Sequence, residues 1–112
     1  MHNPNGNSIL EHALELAALA RPLVAVIQHR DRDLASQVRR AVSSIALNVA
    51  ESQGNRGGNT RVRLETALGS LYEAQAGLRL AIAWGYFSQA AANEALASID
   101  RLGGRVYGLV KK

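Results

Sequence analysis

Two pairs of polar residues interrupt the apolar pattern in the middle of this chain and are its first candidates for chemistry. Asn48 and Glu51 lie three positions apart in RRAVSSIALNVAESQG, the segment from residue 39 to residue 54. Ser70 and Glu73 have the same spacing in GSLYE. Two carboxylates brought face to face would be a candidate acid/base pair. The same side chains, hydrogen-bonded to each other, would instead hold two helices in alignment.

Longer polar stripes favour the structural interpretation. Around the first pair, polar residues recur at spacings of four, four and three, and a similar stripe contains the second pair. No nucleophile or cofactor motif accompanies the carboxylates, so we predict neither a catalytic residue nor an enzymatic activity. We predict instead a structural polar network, within one chain or between subunits. Its members are Arg40, Ser44, Asn48, Glu51, Ser70 and Glu73.

The remaining metal-binding and nucleophilic residue types do not form a site. The chain has no cysteine, which excludes a disulfide framework and a thiolate zinc site. His2 lies in the N-terminal tail, and His12, flanked by glutamates, is interpreted as part of a solvated polar face. His29 precedes two aspartates at alternating positions, a spacing that a charged turn between helices explains as well as a metal site does. We predict no metal site and no cofactor.

The basic residues point to a polyanionic partner. The net charge is +4, and eleven of the thirteen basic residues are arginine, which contacts phosphates in a bidentate manner. The segment GNRGGNTRVR combines glycines with several of these arginines before a predicted helix. We predict nucleic-acid binding, to RNA or DNA, through Arg39, Arg40, Arg56, Arg61 and Arg63. The alternative is a scaffold or adaptor for a protein partner, whose basicity is incidental.

The elements that position these residues are helices. Ala, Leu, Val and Ile make up most of the apolar residues, and they recur at spacings of three and four. The spacing predicts four helices, at about 8–30, 33–53, 60–84 and 89–110, in one domain (8–112) after a disordered tail (1–7). Short connections between helices of similar length predict an all-α, antiparallel up-down-up-down four-helix bundle.

Local signals set the expected helix ends and irregularities. Pro22 predicts a kink or break in the first helix, because proline removes a backbone hydrogen bond. Asp33 is the expected N-cap of the second helix, and Gly54 is expected to end it in the left-handed conformation. Gly85 is expected to stop the third helix, and Ser88 to cap the fourth.

Surplus apolar and small residues predict a homo-oligomer. The first helix is apolar almost all round between Leu16 and Ile27, wider than a lone bundle requires. The third helix carries a stripe of alanines, and the fourth carries three glycines that either fray it or admit another helix. These small residues are Ala67, Ala74, Ala81, Gly103, Gly104 and Gly108. The alternative is that they thicken a single core.

The composition also predicts a cytoplasmic protein with no membrane partner. The longest apolar stretch is interrupted by Arg21 and Pro22, and it is shorter than the ~20 residues that a membrane span needs. The N-terminal residues MHNPNGNS lack the charged and apolar regions of a signal peptide.

Two motifs resemble those of a known family. RRAVSSIALNVAES is similar to the second-helix signature, roughly R-R-A-x-x-S-I-P-x-N-I-A-E-G, of small four-helix bundle proteins encoded within intervening sequences of bacterial large-subunit ribosomal RNA genes. ALGSLYEAQAGLRLAIAWGYFS resembles the end of their third helix. The matching positions are Arg39, Arg40, Ala41, Ser44, Ile45, Asn48, Val49, Ala50 and Glu51, then Gly69, Ser70, Leu71, Glu73, Gly85, Tyr86 and Ser88. Ala46 and Ser52 depart from it, standing where the family usually has proline and glycine.

The resemblance implies further properties. It implies a left-handed bundle that assembles as a homopentamer. Relatives include the accessory variability determinant proteins of diversity-generating retroelements, which bind nucleic acid together with a reverse transcriptase. The family has no established enzymatic activity, which agrees with the absence of a catalytic constellation.

Overall fold

Four α-helices account for nearly all of the chain that the structure describes. The computed structural model describes residues 8–54 and 59–112, and no strand occurs within these ranges. The helices are α1 (Ile9–Arg30), α2 (Arg32–Gly54), α3 (Asn59–Ala83) and α4 (Gln89–Val110). The predicted all-α class is therefore confirmed. The predicted disordered tail, residues 1–7, lies outside the described residues.

The helices pack as a four-helix bundle around one core. Each helix contacts its neighbours along the chain, α1 also contacts α4, and the contact between α2 and α3 is the most extensive. Apolar side chains from all four helices fill the centre. The largest completely buried ones are Leu16, Ile27, Val38, Ile45, Val49, Leu71, Leu78, Leu102 and Val106.

The contact between α2 and α3 sets the position of the predicted polar residues. Three contacts follow this pair along its length, with the α2 residue first: Val38 with Gly77, Ser44 with Ser70, and Glu51 with Arg63. Residue numbers rise along α2 as they fall along α3, so the two helices run in opposite directions. Polar residues on facing stripes are thereby brought to the same level.

Capping side chains and a glycine turn define three of the helix ends. The Ser8 hydroxyl accepts the backbone N–H of Glu11, whose carboxylate accepts the N–H of Ser8, and this reciprocal pair caps α1. Ser88 caps α4 as predicted, accepting the N–H of Ala91. After α3, Gly85 has a φ of 80°, the left-handed conformation that glycine adopts without strain.

Pro22 does not break α1. The helix is continuous from Ile9 to Arg30 with Pro22 inside it, so of the predicted kink or break the break is wrong. Ala18, whose carbonyl loses its usual partner when position 22 is proline, and Pro22 itself are both exposed. Water can therefore satisfy the carbonyl, and the helix continues past the proline.

The start and the end of α2 differ from the prediction. Asp31 rather than Asp33 caps the helix, because its carboxylate accepts the backbone N–H of Leu34 at 3.0 Å. Asp31 is also the only residue between α1 and α2. Gly54 belongs to α2, and among the described residues only Gly85 has a positive φ. The left-handed ending predicted for Gly54 is therefore wrong.

The small residues of α3 and α4 have different environments. Ala67, Ala74 and Ala81 are 0% exposed within this single chain, so the alanine stripe thickens its own core and requires no second subunit. The helix α4 is continuous through Gly103 and Gly104. A Cβ atom at either glycine would meet nothing within 4 Å, so neither glycine serves a close helix contact in this chain.

Candidate nucleic-acid interface and polar network

Three of the predicted polar residues form a hydrogen-bonded cluster between α2 and α3. The Ser70 hydroxyl donates to the Ser44 hydroxyl oxygen at 2.8 Å. The Asn48 amide donates to the same oxygen at 3.1 Å and to the Ser44 carbonyl at 2.9 Å. Ser70 is buried, and such a group needs a partner because burying it unpaired would cost about 1–3 kcal/mol. The cluster therefore stabilises one alignment of the two helices.

The other predicted network members lie outside this cluster. Glu51 pairs with Arg63, with 2.9 Å between the carboxylate and the guanidinium, and both side chains are substantially exposed. Arg40 and Glu73 are exposed and make no hydrogen bond or ion pair within residues 8–54 and 59–112. The two carboxylates thus occupy separate surroundings, and this arrangement offers no acid/base pair.

The arginines at the start of α3 already have acidic partners. Arg61 lies 3.4 Å from Glu65 one turn along the helix, and Arg63 pairs with Glu51. Both ion pairs are exposed, a setting in which such a pair stabilises a protein by about 0–1 kcal/mol. Arg56, the remaining predicted arginine of this segment, lies outside the described residues.

Arg39 and Arg40 lie on an exposed basic surface at the middle of α2. They border a shallow groove of about 530 Å³ along this helix, and Arg39 also borders a groove of about 580 Å³ between α1 and α2. Arg21 contributes a further guanidinium to the second groove. We call Arg21, Arg39 and Arg40 the α1–α2 basic surface.

This surface combines cations with neutral hydrogen-bonding groups. Hydroxyl and amide side chains line the two grooves between the arginines, and no acidic side chain of the described residues does so. None of the three arginines has a described carboxylate within ion-pairing distance. The sequence analysis treated Arg21 only as an interruption of an apolar stretch, although a charged residue within Leu16 to Ile27 was the available signal.

His12 is buried, which contradicts its assignment to a solvated face. It is 8% exposed, and its Nδ1 lies 3.1 Å from the Arg105 guanidinium on α4. A guanidinium can only donate, so Nδ1 is the acceptor and the ring proton is on Nε2. Burial lowers the pKa of His12, and the charges of Arg105 and Arg101 lower it further, against the opposing effect of Glu15.

One contact between two turns of the bundle was not predicted from the sequence. The Tyr86 hydroxyl, in the turn between α3 and α4, donates to the Asp31 carboxylate at 3.1 Å. The Arg30 guanidinium lies 5.3 Å from the centre of the Tyr86 ring. Partial burial raises the pKa of Tyr86, and its hydrogen bond to Asp31 raises it further. The turn between α1 and α2 is thereby joined to the turn between α3 and α4.

The described ranges contain neither a candidate metal site nor a candidate membrane span. No group of three or more histidine and acidic side chains there is placed to hold a metal ion. His29, the other histidine considered for such a site, is exposed. No described helix is both long enough and apolar enough to cross a membrane.

Comparison with solved structures identifies a similar fold. The chain resembles the crystal structure of a protein of unknown function from the S23 ribosomal protein family of Bacteroides thetaiotaomicron, with a TM-score of 0.86 and 18% identity. The match covers 94% of this chain and 100% of that one. At this identity the likeness concerns the fold alone. Among curated proteins, none matches the chain.

A family comparison agrees with the resemblance seen in the two helix motifs. The model of the 23S rRNA-intervening sequence proteins matches residues 6–108, which include all four helices up to the last turn of α4. The bundle, the clustered Ser44, Asn48 and Ser70, and the turn at Gly85 lie within this range. The chain belongs to the family of 23S rRNA-intervening sequence proteins.

Proposed function

We propose that the protein is a non-enzymatic homo-oligomer that binds nucleic acid through the α1–α2 basic surface. The observation that carries this proposal is the contrast between two groups of arginines. Arg61 and Arg63 are paired with glutamates, whereas Arg39 and Arg40 face solvent without a described acidic partner. A phosphate can therefore contact the second group without first displacing a carboxylate.

The chemistry of the surface favours backbone contacts over base recognition. Arginine, serine and asparagine side chains are typical phosphate ligands, and such contacts carry no sequence information by themselves. The family description refers to 23S rRNA, which is consistent with an RNA partner. We therefore propose binding with little sequence preference and with a strong dependence on salt.

Replacing Arg39 and Arg40 by alanine tests this proposal. Each lost phosphate contact is expected to make the slope of log affinity against log salt shallower by about 0.7–0.9, because fewer counterions are released. The matched control is the double variant Arg61→Ala/Arg63→Ala, which removes the same charge from ion-paired positions. Titration of a labelled RNA at several salt concentrations measures both. Equal losses in the two variants would contradict a specific role for the α2 arginines.

The oligomer is proposed to form through the outer face of α1. Leu14 and Val26 on this helix are 53% and 42% exposed. Single exposed apolar residues are ordinary, but two large ones on the helix that carries the surplus apolar residues favour a protein contact. We propose a homopentamer of left-handed, up-down-up-down bundles, as the family resemblance implies.

The mass in solution tests this assembly. We expect a species of about five times the chain mass of 12.0 kDa, measured by light scattering coupled to size exclusion. The double variant Leu14→Lys/Val26→Lys is expected to give a smaller species, because lysine resists burial at a contact. Val62→Lys, an equally exposed position on α3, is the control and is expected to keep the native mass. A monomeric native protein would refute the proposal.

The second candidate function is a scaffold for a protein partner. It is favoured by Leu47, which is 66% exposed and lines the polar groove on α2. The salt dependence of binding distinguishes the two candidate functions. Apolar contacts persist as salt rises, whereas phosphate contacts weaken steeply.

A further inference from the structure

A second surface, away from the α1–α2 basic surface, carries exposed aromatic rings. Tyr72 of α3 and Tyr107 of α4 border a groove of about 260 Å³ between these helices. The two side chains are 66% and 53% exposed, although a tyrosine ring is a large apolar body that usually packs. We call this the tyrosine groove.

The glycines of α4 leave the space beside these rings open. Gly103 and Gly104 line the groove, and a Cβ atom at either position would meet no atom within 4 Å. Each glycine costs a helix interior about 1 kcal/mol relative to alanine. Nothing within the described chain uses the space that these two glycines provide. A flat ring could lie over their backbone beside the tyrosines.

Charge distinguishes the two ends of the groove. The Lys111 ammonium lies 5.5 Å from the centre of the Tyr107 ring, and Lys112 follows it. The groove's carboxylate, Asp100, lies seven residues before Tyr107, about 10 Å along the helix, and accepts a hydrogen bond from Gln75 at 3.3 Å. An anionic occupant is therefore favoured at the end that holds Tyr107 and the lysines.

We propose that the tyrosine groove stacks unpaired bases of a nucleic-acid strand whose phosphates pass beside Lys111 and Lys112. This inference rests on the proposed nucleic-acid binding and adds a preference for single strands. Exposed aromatic rings beside cations are the usual platform for bases that are not paired. The bases of a duplex stack on one another and are not available to such a platform, so a duplex is expected to use only the phosphate contacts.

The test compares a single-stranded RNA with a duplex of the same length. Tyr72→Ala and Tyr107→Ala are each expected to weaken single-strand binding about tenfold and to leave duplex binding unchanged. Tyr72→Phe and Tyr107→Phe keep the ring and are expected to bind as the native protein does. Both tyrosines are exposed, so the variants are expected to fold, and circular dichroism checks this.

The outcomes separate this inference from the proposed function. Alanine variants that bind the single strand as tightly as the native protein would overturn stacking while leaving phosphate binding intact. Equal losses for single strand and duplex, or equal losses in the phenylalanine variants, would also overturn stacking. A native protein that binds neither form of RNA would overturn the proposed function itself.

Discussion

Gly77→Ala is expected to lower the free energy of unfolding by up to about 2 kcal/mol, because an overpacked core contact costs about 1–3 kcal/mol and alanine recovers about 1 kcal/mol as a helix former. A Cβ atom at this position would lie 2.6 Å from the Val38 Cγ2 methyl of α2. Val38 is buried, and a valine in a helix has one strongly preferred rotamer, so the methyl cannot turn away. The two helices must therefore separate locally, and α2 and α3 are the helix pair with the most extensive contact in the bundle.

Gly69→Ala is the matched control for this prediction. It lies on the same helix, is exposed, and would bring a Cβ atom within 4 Å of nothing. We expect it to raise the free energy of unfolding by about 0.4–1 kcal/mol, because alanine restricts the unfolded chain and favours the helix. Urea unfolding followed by circular dichroism measures both variants. If they shift stability in the same direction, α2 and α3 are further apart than the structure shows.

The second large expected effect is a loss of stability in acid that is caused by the protonation of His12. The folded protein lowers the pKa of His12, whereas in the unfolded chain the pKa is about 6.5. Well above that pH the ring is neutral in both states and contributes no pH dependence. As the pH falls through about 6.5 toward the lowered folded pKa, the unfolded state binds the proton more readily. The free energy of unfolding therefore decreases over this window.

The structural cause is the position of the ring between α1 and α4. Protonation would remove the Nδ1 acceptor that Arg105 contacts and would place a third cation beside Arg105 and Arg101. His12→Gln cannot titrate, so we expect its stability to change less between about pH 7 and pH 5. His29→Gln, which removes an exposed histidine, is the control. Thermal unfolding across this range measures all three proteins, and identical slopes would exclude His12 as the cause.

The helices could be predicted because their ends carry local signals. Ser88, the predicted cap of α4, bonds to backbone within its own first turn, and Ser8 does the same for α1, so such caps depend on local sequence. Asp33 was the predicted cap of α2, but an aspartate at position 31 or at position 33 precedes the apolar stripe and fits the local pattern of a cap. Its true cap, Asp31, also bonds to Tyr86, a residue distant in sequence. Local pattern does not contain that contact.

The exposed position predicted for His12 was wrong for a different reason. The buried stripe of α1 includes Leu16, Ala20, Leu23 and Ile27, and position 12 continues it at a spacing of four. The helical spacing therefore indicated that His12 is buried, but its polar side chain and the adjacent glutamates favoured an exposed position. The decisive partner, Arg105, comes from the last helix, and its approach depends on how α4 packs.

For the candidate sites, the sequence predicted which residues take part better than it predicted which of them contact each other. Helical spacing placed Ser44, Asn48 and Ser70 on facing stripes, and the structure joins them. Glu51 followed the same stripe but pairs with Arg63, because long charged side chains reach whichever partner the register of the two helices supplies. Which arginines remain without a carboxylate is likewise a property of the packed helices.

The contact between Asp31 and Tyr86 makes the bundle stiffer at one end than at the other. At that end a single residue joins α1 to α2, caps α2 and bonds to the turn before α4. At the opposite end, the exposed pair of Glu51 and Arg63 joins α2 to α3, and His12 contacts Arg105 between α1 and α4. Within the described residues, local opening is expected to begin at the end without the contact of Asp31 with Tyr86 and to spread toward the two joined turns. Hydrogen-bonded amides of the helical turns next to the contact of Asp31 with Tyr86 are expected to exchange with solvent more slowly than those of the helical turns at the opposite end.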